Sequence, residues 1–258
     1  DHCIYDVTPS RFLKEFGRVR NSMTQYVLQN IEEPPRYSYL EKVCRLLSDI
    51  KERPLKINKK RLASYSAVSK NKPILKQLKA KESFIDYNQF GTKTGRLTTS
   101  GHSFPLLTLR KDLRSIVEPT NDFYVELDFN GAEVRVLMGL LGLKQPDVDV
   151  HTFHCQEVFG GELSREEAKV AFFAWLYGSR SSKTLEYSKQ LESYYRKDTL
   201  LDQFWDGSTV LTPFGKRIKE VDEHHALNYL IQSTAAEMTL LQALKIDYFL
   251  SSRKAKSH

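Results

Sequence analysis

The segment at 164–178, SREEAKVAFFAWLYG, constrains the fold more than any other stretch of the chain. Ser164 can accept a hydrogen bond from a free backbone N–H of a first helical turn, and Glu167, three residues on, can reach back to the cap. Gly178 supplies a C-terminal stop. A helix is therefore bounded at both ends. Within it, Arg165, Lys169, Phe173 and Tyr177 recur every four residues. Each step of four overshoots a full turn by about 40°, so the four side chains share one stripe about 120° wide. That stripe carries two cations, then two aromatic rings. Val170, Phe172, Trp175 and Leu176 are left to bury the other side.

Singly, a Lys or Arg on a helix is a solvated charge, and a Phe or Tyr at this spacing is core. Together along one face they describe a surface for a polyphosphate at one end and a flat ring at the other. A guanidinium forks two phosphate oxygens, an ammonium adds a point charge, and an aromatic ring covers a base. The pattern R-x3-K-x3-F-x3-Y-G resembles the fingers-helix motif of family A DNA polymerases.

With 258 residues, 40% of them hydrophobic, the chain can bury a core in one or two domains. A net charge of +7 favours an anionic partner, most commonly nucleic acid. No apolar run reaches membrane-spanning length, so no membrane partner is expected. Cys3, Cys44 and Cys155 fit neither a disulfide framework nor a zinc site and suit a reducing compartment, hence the cytoplasm.

Residues 9–31 read as an amphipathic helix, with Phe12, Leu13, Phe16, Val19, Met23, Tyr26 and Val27 at helical spacing. Residues 38–52 read as a second helix with Leu40, Val43, Leu46, Leu47 and Ile50 on its buried face. The stretch 51–81 is densely basic. It is either a solvated surface or a face that tracks phosphates without reading sequence.

Residues 87–99, YNQFGTKTGRLTT, read as extended chain and turns. Thr94, Gly95, Arg96 and Leu97 are similar to the family's T-G-R-L segment, whose arginine lies in the minor groove near the primer end. Arg114 stands where the family has a basic residue before the next strand. Residues 123–127 alternate and read as a short strand ending at Asp128. By itself an Asp at a strand end is usually a helix cap. The following D-F-N-G-A-E-V-R resembles the family's D-Y-S-x-x-E-x-R at Asp128, Glu133 and Arg135. The resemblance implies that Asp128 and the Phe129 carbonyl bind magnesium, and that Glu133 packs under the sugar of the incoming nucleotide. Gly131 and Ala132 predict a turn smaller and looser than the family's.

Asp149-Val150-His151-Thr152 resembles D-x-H-T-x-T, with His154 in place of the second Thr. His151 then donates to a phosphate oxygen; read alone, it is as readily a surface or core histidine. Residues 179–205 are polar and helical. Residues 212–217, TPFGKR, look like the hairpin that returns the chain to the palm, and 228–237, NYLIQSTAAE, resembles N-x-x-I-Q-G-T-A-A-D. Asn228 and Gln232 share a helix face, where their amides can meet minor-groove acceptors.

These motifs stand in the family's order from about 87 to 237. The resemblance implies an α+β right-hand polymerase fold with a thumb, a palm with a small antiparallel sheet, and helical fingers. The expected division is a thumb-like helical region at 1–86, a palm entry with the metal motif at 87–135, fingers at 136–222 and a palm helix at 223–258. The family's later H-D-E motif has no counterpart here, since no His-Asp pair occurs in the sequence. The chain is therefore expected to be cut at both ends, with the C-terminal part of the palm missing. Its compact wording is closest to the phage branch.

The implied reaction adds deoxynucleotides from deoxynucleoside triphosphates to the primer 3′-OH of primer-template DNA. Two Mg2+ ions assist, and Arg165 and Lys169 neutralise phosphoryl charge. A processivity factor is a further partner to consider. The rival readings are a polymerase-derived DNA-binding module that is not catalytic, and a metal-dependent nuclease.

Overall fold

The computed structural model describes residues 4–66, 78, 83–178, 182–196 and 198–253. Lys70, Lys72, Lys76, Lys79 and Lys81 of the basic stretch, with Cys3, lie outside the described residues. The chain divides into two compact units, Asp1–Glu41 and Lys42–His258.

In the first unit, helix α1 (Ser10–Asn30) forms where the apolar spacing predicts it. Pro9 precedes it with its ring-fixed φ, and Ile31 leaves it in extended conformation. No α1 residue is buried, and its apolar stripe, including Phe12, Phe16, Met23 and Tyr26, is exposed. Periodicity fixed the helix here without fixing a partner for its face.

Helix α2 (Tyr37–Lys51) leads into the second unit and buries Val43, Leu46, Leu47 and Ile50, the expected face. Three two-stranded antiparallel pairings follow among the described residues. They join β1 (Lys56–Ile57) to β4 (Val117–Glu118), β2 (Tyr87–Asn88) to β3 (Thr98–Thr99), and β5 (Val210–Leu211) to β6 (Arg217–Ile218). The β2–β3 pair matches Tyr87 with Thr99 and Asn88 with Thr98, as the turn-rich 87–99 segment predicts. Helix α3 (Lys59–Ser66) is capped by Asn58, whose Oδ1 accepts from Arg61 N at 2.8 Å.

The expected strand at 123–127 does not form. No described segment pairs with it, and Phe123, Tyr124, Val125 and Leu127 are exposed. A strand exists through its ladder of inter-strand hydrogen bonds, and alternation alone does not provide a partner.

The largest core gathers α4 (Ala132–Leu140), α5 (Val150–Phe153), α6 (Arg165–Leu176), α7 (Ser182–Tyr195), α8 (Asp198–Phe204) and α9 (Glu223–Ser252). At its centre Val134, Leu137, Met138, Phe172, Leu191, Tyr195, Leu230 and Ile231 are nearly or wholly buried. Burying such side chains contributes about 1.5–3 kcal/mol each. The expected polar stretch after α6 is helical, but it lends Leu191, Tyr195 and Leu200 to this core. Helix α6 packs chiefly on α7, and α9 on α4. Helix α6 carries the full capping box: Glu167 N donates to Ser164 Oγ at 3.4 Å and Ser164 N to Glu167 Oε2 at 2.9 Å. Its buried side is Ala168, Ala171, Phe172, Trp175 and Leu176, whereas Val170, expected there, is 68% exposed. The result is an α+β fold, mostly helical, with small antiparallel pairings.

Candidate functional site

Four of the residues singled out from separate motifs meet in one hydrogen-bonded network. Arg96, in the β2–β3 loop, pairs with Glu133 in the first turn of α4. The hydroxyl of Tyr177, just past α6, donates to Glu133 Oε2 at 2.8 Å. Gln232 Nε2, on α9, donates to the same hydroxyl at 3.4 Å. Glu133 is the more enclosed of the charged pair, with 11% of its side chain exposed against 50% for Arg96. Burial first and the Glu133 carboxylate second raise the Tyr177 phenol above its ordinary pKa, so it stays a neutral donor. Two lysines lie along the Arg96 loop. Lys93 Nζ reaches Glu220 O at 3.5 Å, and Lys216 Nζ, from the β5–β6 turn, lies where a side chain on Gly95 would stand.

Along α6, Phe173 and Tyr177 stack with ring centroids 5.8 Å apart and planes 13° from parallel. Lys169 is exposed. Arg165 is instead forked onto Asp149, with Nε to Oδ1 and Nη2 to Oδ2 both at 2.9 Å. The expected free phosphate-gripping guanidinium is thus engaged within the chain. Asp149 also caps α5, accepting from His151 N and Thr152 N, and takes a 2.7 Å bond from Asn130 Nδ2. Arg165 first, and then these donors, hold its carboxyl well below the usual carboxylate range. Asp149 and Asn130 therefore tie the Asp128 turn to the start of α6, a role that sequence reasoning missed. Only the capping half was legible, since Asp is a favoured residue at a helix start, where it accepts from backbone N–H groups two and three residues on.

His151 is buried rather than poised in solvent. Its ring lies 6.0 Å from that of Phe173 and 5.8 Å from that of His154. Its Nδ1 has no hydrogen-bond partner among the described residues. Burial chiefly lowers its pKa; Asp149 opposes this, and Arg165 and Lys169 add to it. His154 is wholly buried, bonded through Nε2 to the Tyr195 hydroxyl. Its pKa falls to about 4, through burial first and His151 second.

Gly131 is not a loosening of the turn. Its φ of +63° is the left-handed conformation that glycine adopts readily, and a Cβ there would collide with Val150 Cγ1. Arg135 binds the Asn130, Pro146 and Val148 carbonyls and so braces the same turn. Arg114 bonds to Leu109 O and faces Glu126 at 3.8 Å. Asn228 lies one turn before Gln232 on α9, and its Oδ1 is buried without a partner among the described residues.

Asp128 and Phe129 are exposed on the unpaired segment. Among the described residues no three His, Cys, Asp or Glu side chains converge where a metal ion would sit. One carboxylate and one carbonyl fall short of the shared carboxylates that a pair of magnesium ions needs. The described residues do not fit a two-ion centre.

In sequence and in fold the chain is similar to DNA polymerases of family A. No family model matches it. In sequence it is 26% identical to the thermostable DNA polymerase I of Thermus thermophilus and 27% identical to that of Thermus aquaticus. Each alignment runs over 205 residues and takes in 62% of this chain. The chain spans about a quarter (25%) of the length of these relatives. In structure it resembles the POL domain of Pol1 from M. smegmatis, in complex with DNA primer-template and dNTP. The TM-score is 0.56 and the identity 20%, covering 74% of this chain and 43% of that one. Among the described residues no helix is long and apolar enough to cross a membrane.

Proposed function

We propose that this chain binds primed DNA and an incoming deoxynucleoside triphosphate, for template-directed transfer of the nucleotide to the primer 3′-OH. The network of Arg96, Glu133, Tyr177 and Gln232 carries this reading. It joins a loop and three helices into one polar surface beside the stacked Phe173 and Tyr177 rings. Arg and Gln side chains donate to the acceptors that every base pair shows in the minor groove, so they sense pair geometry without reading sequence. The rings offer a stacking surface, and Lys169 offers charge to a triphosphate. The Pol1 domain that it resembles holds DNA primer-template and dNTP.

Magnesium, when bound, supplies charge stabilisation at the transferring phosphate. Asp128 and the Phe129 carbonyl are the donors that this chain offers, and a second carboxylate has to join them before two ions are held. This observation gives weight to a second reading, a polymerase-like DNA-binding module. A labelled primed duplex, incubated with the chain, four deoxynucleoside triphosphates and Mg2+, separates the readings. Primer growth one nucleotide at a time supports transfer. A bound but unchanged primer supports the module, and a shortened primer would replace both with a nuclease.

A further inference from the structure

We propose that the cavity between α2 and the β2–β3 hairpin receives an unpaired nucleobase of single-stranded DNA. The proposal rests on the reading that the loop bearing Arg96 faces DNA. The cavity measures about 420 Å3, within the range of about 300–1,000 Å3 usual for small-ligand sites. Leu47 of α2 gives it an apolar floor and Tyr87 a half-buried ring. At the mouth Phe90 is 71% exposed. Its backbone is anchored: Phe90 N donates to Asn88 Oδ1 at 2.8 Å. The adjacent Gly91 packs so tightly on Thr98 that a Cβ would not fit.

An aromatic face left in water on an anchored turn is a stacking platform, and every base offers a π-face to it. Gln89 supplies an amide with both donors and an acceptor, and the Lys51–Asp86 pair, 3.1 Å apart, adds one charge of each sign. Mixed donors and acceptors around an apolar, aromatic slot suit a nucleobase edge and face. Phe90 and Arg96 lie on the same nine-residue connection, 89–97, between β2 and β3. One connection therefore carries both the arginine read as facing DNA and the ring at the cavity mouth.

Cys44, an exposed free thiol, lines the cavity and reports its occupancy, while the buried Cys155 serves as an internal reference. The chain is alkylated with iodoacetamide alone, with a short oligodeoxyadenosine, and with an abasic strand of equal length, and Cys44 is followed by peptide mass. DNA binding is followed in parallel by anisotropy. At saturation the oligodeoxyadenosine should slow Cys44 alkylation at least about fivefold, the scale of one stacked base. The abasic strand should bind without slowing it. Phe90→Ala should abolish the protection and Phe90→Trp should keep it. Equal protection by the abasic strand, or an unchanged Cys44 rate with DNA bound, would overturn the cavity assignment alone. If neither the oligonucleotide nor a primed duplex binds, the reading that the Arg96 loop faces DNA falls as well.

Discussion

Lys169 and Arg165 are both exposed on the α6 stripe, but Arg165 is forked onto Asp149. A charge-assisted hydrogen bond contributes about 1.5–3 kcal/mol. Lys169→Ala should therefore weaken binding of a matched nucleotide to the primed complex by roughly tenfold or more, and leave duplex affinity unchanged. Titration of a fluorescent nucleotide against a fixed primed complex measures this; a loss confined to duplex affinity would move Lys169 to the DNA side. His154 makes a second residue-scale prediction. Its pKa is about 4 when folded, against 6.5 for a free histidine. As pH falls through that window the unfolded chain takes up a proton that the folded chain refuses, so stability drops. At about 1.4 kcal/mol per unit, the loss reaches at most about 3.5 kcal/mol. Urea midpoints at neutral and mildly acid pH should diverge less for His154→Asn than for the parent. His151 and His154 were visible in sequence as histidines in a motif. Their burial was not, because it depends on Phe172 and Tyr195, which pack in from α6 and α7.

At the scale of elements, the turn before α4 is set by one glycine. Gly131→Ala places a Cβ in a left-handed conformation and against Val150. The conformation alone costs about 1–2 kcal/mol. The melting temperature should fall by roughly 2 °C or more. Adding Val150→Ala should recover the part owed to the collision, a coupling that a double-mutant cycle reads directly. Within α6, Phe172→Ala should cost about 3–5 kcal/mol and Val170→Ala little, as differential scanning calorimetry would show. The Ser164 capping box, the α2 face and the β5–β6 hairpin were legible because each is encoded within a short run of residues. The side of α6 that takes Val170 was not, since a helix covered by neighbours on one flank leaves its edge positions undetermined by period. The strand expected at 123–127 failed for a related reason: pairing is a property of two segments. The Arg165–Asp149 fork joins residues sixteen apart, and no local pattern signals it.

For the molecule as a whole, the site is a convergence. Arg96, Glu133, Tyr177 and Gln232 were each legible only through their motifs, and the fold brings them together across 136 residues of chain from 96 to 232. On the proposed function, Lys and Arg side chains that neutralise phosphates would release counterions from the DNA, and the chain carries a net charge of +7. Affinity for a primed duplex should fall at least roughly tenfold between about 50 and about 200 mM salt, and fluorescence anisotropy across that range checks it. The central claim is that nucleotide and primed DNA are held together on this one surface. It is tested most directly by the dissociation rate of the chain from a dideoxy-terminated primer-template, in Mg2+, with no nucleotide, a mismatched one, or the matched one. The matched nucleotide should slow dissociation by roughly tenfold or more, equivalent to ~1.4 kcal/mol, and the mismatched one should not. Equal rates in all three conditions would contradict the account.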